Sequence, residues 1–434
     1  MKGRFLQKSR QNTFFVKNKG EILRKNGKFV CNKFSFIDYF SICWYNRIHA
    51  SAFCKTQATA KTFAFARIFC VCNVCAKQKK LRFGKTPRIF EGENMIKIVV
   101  DAYGGDNSPK ANVQGVVKAL NEVSDLEVVL VGNQPTLEQL LADVSYDKKR
   151  LTIVHAPDVI TCNDKPTEAI KTKKDSSMAK SFEILRTDSE ARGMVTLGSS
   201  GALLAGAVLR VGRIRGVKRP AFCPVIPTVT GGLVAICDSG ANVDCTPQYL
   251  QQFAIMGSVY LQKAYGVKNP RVALLNIGVE EEKGDELRKA TFPILENTPA
   301  VNFVGNMESR NLMSGEFDLV VCDGFSGNVL LKSTEGTSLQ LLKLLKKAMT
   351  SSFSAKLGAL MLKKKVYELK DMLDVGNYGG AVLLGTTKTI VKGHGNSEAN
   401  TVCNCVKQAY NMEKNNLCQA IGEEIAKLAV PAAE

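Results

Sequence analysis

The residues best able to do chemistry sit at glycine-punctuated turns. The turn DGFSGN (residues 323–328) sets a carboxylate, a hydroxyl and an amide around two glycines. It follows the apolar run FDLVVC (317–322) and precedes a helical pattern carrying Leu330, Leu331, Leu339, Leu342 and Leu345. In an open α/β sheet such a turn lies at the carboxyl end of a strand, and it aims backbone N–H groups and the positive end of a helix into a crevice that suits an anion. The competing account is a βα connection whose glycines only satisfy positive φ. The same strand, glycine turn and helix recur in MVTLGSSGALLAGAVL (194–209), which weighs towards the anion.

The elements that must position these turns alternate along the chain from Met95. IKIVVDA (96–102) is an apolar strand ending in YGGDNSP (103–109), and an amphipathic helix follows through Val113, Val116, Val117 and Leu120. LEVVLVGN (126–133), LTIVHA (151–156) and RVALLNIG (271–278) read as further strands. Continuous apolar strands imply burial on both faces, hence an α/β fold with a largely parallel sheet between helices. About 340 residues suits one large α/β unit or two lobes around a cleft.

Composition divides the 434-residue chain at Met95. Residues 1–94 hold 20 Lys and Arg against 4 Asp and Glu, so they contribute +16 of the formal +19. They also hold 13 of the 21 Phe and the single Trp, Trp44. This charge has no period and no binding motif, so nucleic acid is not expected as a partner. Cys70, Cys72 and Cys75 lack a second ligand pair, and no metal site is expected. Glu91-Gly92-Glu93-Asn94 can be encoded by a purine-rich ribosome-binding sequence ahead of Met95. The expectation is that residues 1–94 are translated upstream sequence or a disordered basic segment, and that residues 95–434 form the functional domain. The later cysteines are scattered among apolar neighbours and read as reduced thiols. No GxGxxG, GxxxxGK[ST] or GxSxG motif occurs, so no nucleotide cofactor and no serine nucleophile is indicated.

From Met95 to about Leu428 the chain resembles the acyl-ACP:phosphate acyltransferase (PlsX) family. The matching stretches are DAYGGDNSP (101–109), KTKKDSSM (171–178), DSGANVDC (238–245), LLNIG (274–278), NFVGNMESR (302–310), CDGFSGNVLLKSTEG (322–336), AKLGALMLKK (355–364), YGGAVLLG (378–385) and GHGNSEA (393–399). Two positions depart from the family pattern: Tyr103 replaces the usual Met, and TLGSSGAL (196–203) replaces SAGNTGAL. The resemblance implies a three-layer α/β/α fold of the phosphotransacetylase and isopropylmalate-dehydrogenase kind. It also implies transfer of a fatty acyl group from acyl carrier protein to inorganic phosphate, without a cofactor, for phospholipid synthesis. Two alternatives are a phosphate acetyltransferase-like enzyme using acyl-CoA and a non-catalytic membrane and carrier-protein scaffold.

Phosphate near neutral pH is already partly dianionic, and a thiolate leaves readily. The protein then has to hold phosphate against the thioester, stabilise the oxyanion and exclude water. The residues expected to do so catalytically are His394, Asn242, Asp323, Asn328 and Lys332. Expected substrate contacts are Gly104, Gly105, Asp106, Lys174, Ser176, Ser177, Gly198, Ser199, Ser200, Gly201, Gly324, Ser326 and Gly327. Each has a plainer account: Asp175 or Ser176 as an N-cap, Asn242 as a turn-former, Lys332 and Glu335 as a local ion pair, and His394 as a surface histidine.

Between the central turn and YGGA lies a leucine-rich stretch (339–373) that reads as a helical hairpin, broken near residues 350–354 or at Gly358. An arm over about residues 337–373 is expected to serve a homodimer. Leu357, Leu360, Met361 and Leu362, flanked by lysines, are expected to rest on an anionic membrane surface at the inner face of the cell membrane. The basic run Arg210, Arg213, Arg215, Lys218 and Arg219 is the expected dock for acidic acyl carrier protein. A downstream membrane glycerol-phosphate acyltransferase is a further possible partner.

Overall fold

The computed structural model describes residues 95–428, together with a short antiparallel pair of strands, Leu23–Lys25 and Lys28–Val30. Apart from that pair, the expectations for residues 1–94, including Cys70, Cys72 and Cys75, lie outside the described residues. Elements are numbered below from Ile96.

The first sheet grows from apolar β-branched runs: β1 (Ile96–Asp101), β2 (Leu126–Gly132), β3 (Leu151–His155) and β4 (Ala191–Thr196). Its remaining strands are β5 (Ala221–Cys223), β11 (Ala381–Leu384) and β12 (Thr389–Lys392). The order is β3-β2-β1-β4-β12-β11-β5, parallel except that β11 runs against both its neighbours. Both faces are covered, as the unbroken apolar runs require. Ile98 and Val100 face one core with helix α1 (Lys110–Glu122) and helix α10 (Ala399–Lys414), while Val99 faces another with helix α4 (Ser177–Thr187). Val113, Val116, Val117 and Leu120 form the buried stripe of α1 that its periodicity announces.

The second sheet has five strands in the order β9-β8-β10-β7-β6. These are β6 (Val225–Pro227), β7 (Leu233–Cys237), β8 (Arg271–Asn276), β9 (Asn302–Glu308) and β10 (Leu319–Val321), and only β6 is antiparallel. Val272 and Leu274 pack towards helix α6 (Pro247–Tyr265), and Ala273 and Leu275 pack towards helix α8 (Gly324–Met349). The chain thus builds two largely parallel sheets between helices, each called a lobe below, and one hydrophobic core takes residues from both. The lobes join where Phe222 N donates to Asp238 Oδ1 at 2.9 Å and Ser239 N to Phe222 O at 3.1 Å.

Helix α8 is capped by Asp323, whose carboxylate accepts from Ser326 N, and its buried residues all lie in its first turns, ending at Leu331. Beyond that it projects, turns at residues 350–352 and returns as α9 (Phe353–Leu373), capped by Ser352 and without one buried residue. The break therefore falls at the first of the two expected places, and Gly358 lies inside α9.

Candidate active site

Strands β1, β4 and β12 are neighbours in the first sheet, so the turns after them meet at its carboxyl edge. A Cβ on Gly104 would stand 2.5 Å from Gly198 N, and one on Gly105, at φ 93°, would stand 2.9 Å from Gly395 O. Asp106 N donates to Gly395 O at 2.7 Å, and Gly393 N to Thr196 O at 2.9 Å. Beneath the turns, the buried Asn112 amide reaches the carbonyls of Asp101, Ala102 and Gly104, each at 3.0 Å. The buried Asp101 carboxylate accepts from Thr196 Oγ1 at 2.7 Å and Tyr103 N at 3.2 Å, and Thr196 Oγ1 accepts from Gly198 N at 3.1 Å. Burial pushes the Asp101 pKa up, opposed by the Ser177 and Thr196 hydroxyls.

These turns enclose a cavity of about 370 Å³. Gly105, Asp106, Gly198, Ser199 and Ser200, all expected as substrate contacts, are among its lining residues, with Tyr103, Ile160, Cys162, Leu197, Lys392 and Gly395. Gly104 lies behind the wall, against Gly198. His394 is exposed beside Gly395, and its Nε2 is 3.1 Å from Lys332 Nζ on α8 of the other lobe. Lys332 also donates to Glu335 at 2.7 Å, so the local pair and the cross-lobe contact coexist. Asn328 is exposed one helical turn before Lys332. From Lys332 a shallow concavity of about 500 Å³ follows α8 past Gly336 and Leu341 to Leu344.

Lys392 was not expected from sequence. It closes an otherwise apolar strand just before GHGN, and a lysine at a strand end abutting a glycine turn is the signal that marks it. Burial lowers its pKa to about 8, repulsion by Lys332 acts in the same direction, and Asp101 opposes both.

Several expected contacts are corrected. The DGFSGN turn is a joint between segments and not an open anion cradle. Gly324 N donates to Asn242 O at 2.7 Å, Ser326 N to Asp323 Oδ1 at 2.8 Å, and Gly327 N to Asp323 O at 2.9 Å, so these donors are already used. A Cβ on Gly324 would meet Asn242 O at 2.7 Å, and one on Gly327 would meet Asp238 O at 1.9 Å, so protein backbone occupies the space expected for a ligand. Asp323 is buried and paired with Arg288, which also donates to Ser326 Oγ at 3.0 Å. Burial raises the Asp323 pKa, but the Ser326 donors and Arg288 outweigh it and hold the carboxyl below its usual range.

Asn242 likewise serves structure, its amide donating to Pro220 O at 2.8 Å and to the buried Asp238 at 3.0 Å. Ser176 is the buried N-cap of α4, accepting from Ala179 N and donating to Lys173 O. Ser177 is buried against Asp101, and Lys174 is exposed and outside the cavity lining. Gly201 abuts Pro166 and does not line the cavity either.

A cavity at the carboxyl ends of parallel strands, walled by glycine turns and hydroxyls beside two lysines, defines an enzyme that handles an anionic group. The family model described as "Fatty acid synthesis protein" matches residues 96–420. The chain is 44% identical over 330 residues to a phosphate acyltransferase of Bacillus subtilis (strain 168), covering 76% of this chain and 98% of that one. It is also 44% identical over 332 residues to a phosphate acyltransferase of Bacillus cereus (strain B4264), covering 76% and 99%. The chain belongs to this phosphate acyltransferase family, a family of transferases. Among solved structures, a phosphotransacetylase from Streptococcus pyogenes aligns with TM-score 0.48 and 17% identity, covering 74% of this chain and 95% of that one.

Proposed function

We propose that the protein transfers a fatty acyl group from acyl carrier protein to inorganic phosphate, and that the acyl phosphate feeds phospholipid synthesis. The observation that carries this reading is the cavity where the three glycine turns converge, with Ser199 and Ser200 in its wall and the Lys332–His394 contact at its edge. An oxygen of hydrogen phosphate attacks the thioester carbonyl, the C–O bond forms, the C–S bond breaks, and the departing thiolate takes up the proton that the phosphate gives up. Lys332, His394 and Asn328 border the reacting carbonyl in this reading, and the concavity from Lys332 to Leu344 suits the acyl chain.

Acidic carrier protein suits the basic run after α5 (Ser200–Gly206), in which Arg213, Arg215, Lys218 and Arg219 are exposed. Arg210 is partly tied down, donating to Ile170 O at 3.2 Å. The arm suits a homodimer and peripheral attachment at the inner face of the cell membrane, because Leu357, Leu360, Met361 and Leu362 are all exposed. No described helix is long and apolar enough to cross a membrane.

The test is incubation of acyl-ACP with labelled phosphate, followed by hydroxylamine. A hydroxamate together with thioester-dependent loss of phosphate is the expected result. Hydrolysis to free acid alone overturns the reading, and a marked preference for acyl-CoA replaces the donor.

A further inference from the structure

We propose that Lys392 is a further catalytic residue, the cation against which the anionic acyl acceptor is held; this rests on the phosphate-transfer reading above. Lys392 ends β12 and lines the cavity. Its ammonium donates to Leu197 O at 3.2 Å and to Gly393 O, both in the cavity turns. An ammonium carries three donors, so two carbonyls leave one unspent. Among the described residues no carboxylate lies within ion-pair distance of it. Asp106, the carboxylate in the lining, is exposed; its backbone N–H donates to Gly395 O, and its side chain makes no ion pair with Lys392. Asp101 is occupied by Thr196 and Tyr103.

A partly desolvated cation with no carboxylate in direct contact is unfavourable alone, and an anion in the cavity relieves it. The other titratable groups that face it are Asp101 on β1, Cys162 in the loop after β3, Cys405 on α10 and Lys332 on α8. The last is a second cation, which strengthens the demand for an anion. A lysine that merely ties two strand ends together would explain the carbonyl contacts, but not why its remaining donor is left unspent and its charge without a direct ion pair beside a cavity.

The exposed Cys162 thiol lies in the same lining and reports on occupancy without turnover. Iodoacetamide labelling of the full-length protein, read at the Cys162 peptide by mass spectrometry, is expected to slow as inorganic phosphate is added. In Lys392→Met that protection should need roughly 10- to 100-fold more phosphate, the range for losing one charge-assisted hydrogen bond. The phosphate KM should rise by a like factor while the acyl-donor KM stays within about threefold, and Lys392→Arg should recover most of the loss. Equal effects on both substrates, or unchanged protection in a folded Lys392→Met, overturn the assignment. If the Met variant does not fold, phosphate protection of the unaltered protein decides it. Protection weakening as pH rises past about 8 supports the lysine, and constant protection to pH 9.5 refutes it. Should no acyl phosphate form at all, the function fails, yet the labelling still tests Lys392 as an anion site.

Discussion

Replacing Gly327 with alanine places a methyl carbon 1.9 Å from Asp238 O and 2.8 Å from Cys322 Sγ. The carbonyl cannot step aside cheaply. Asp238 N donates to Cys322 O at 3.0 Å, Cys322 N donates to Cys237 O at 2.8 Å, and the Asp238 carboxylate holds Ala241, Asn242 and Phe222. Relief therefore requires the start of α8 to move off β7. That motion loosens the Gly324–Asn242 hydrogen bond, worth about 1 kcal/mol, and overpacks a dense interior at roughly 1–3 kcal/mol. The partial withdrawal of Leu330 and Leu331 from their core adds about 1 kcal/mol more. The sum, about 3–5 kcal/mol, corresponds to a melting temperature lower by roughly 4–7 °C in a domain of this size. Thermal melting followed by circular dichroism is the assay. Gly358→Ala is the control of opposite sign, because nothing lies within 4 Å of its Cβ position inside α9, and it should stabilise by about 0.5–1 kcal/mol. A Gly327→Ala protein that melts with its parent refutes the account of this turn as a joint. If it also turned over slowly, the glycine would belong to a ligand after all.

Three further outcomes follow from the site and its supports. His394→Ala and Lys332→Met are each expected to lower turnover at least about tenfold, or about 1.4 kcal/mol of transition-state stabilisation, with the melting temperature nearly unchanged because both side chains are exposed; normal turnover in either removes it from the chemistry. Leu360→Glu combined with Met361→Glu should reduce sedimentation with anionic liposomes and leave soluble activity largely intact, since burying two such chains contributes roughly 3–6 kcal/mol; unchanged binding assigns them to a protein interface. Arg288→Met leaves Asp323 buried without its partner and should cost about 3–5 kcal/mol. Because the Asp323 pKa is depressed in the folded protein, its stabilisation is present above the unfolded value and is lost as pH falls through the folded one. The variant's acid-unfolding midpoint should therefore move to higher pH, and an unmoved midpoint in acid titration contradicts the pairing.

The fold was legible where one signal sufficed. Ile98, Val99 and Val100 are apolar in succession because alternate residues enter different cores, and that run alone announces a doubly covered parallel strand. The α1 stripe and the arm's first break were likewise written in period and composition. The division into two sheets was open, because strand order depends on pairings between distant segments, such as β4 with β12, that no local pattern encodes. At the site, the YGGD, LGSS and GHG turns were readable as cavity walls. DGFSGN misled because a glycine that admits a ligand and one that admits another backbone look the same in sequence. Only the position of Asp238 O distinguishes them. Ser176 and Asn242 misled for the related reason that hydroxyls and amides suited to substrates also suit caps and turns.

On the proposed function, the corrected central turn matters for catalysis through what it holds rather than what it touches. Docking of Gly324 and Gly327 against residues 238–242 fixes the start of α8, and two turns later the same rigid helix presents Lys332 to His394. The contact spans two lobes, so its geometry depends on both sheets and on the Phe222–Asp238 join between them. In the proposed transfer no covalent intermediate is stored on the protein, and alignment of two bound reactants must supply much of the rate. An error of 1 Å at the helix start would then reach the reacting atoms almost undiminished. In the proposed transfer, the buried Asp238 and Asp323 would act on turnover at a distance, as positioning residues for Lys332, while the cavity turns would position the acceptor.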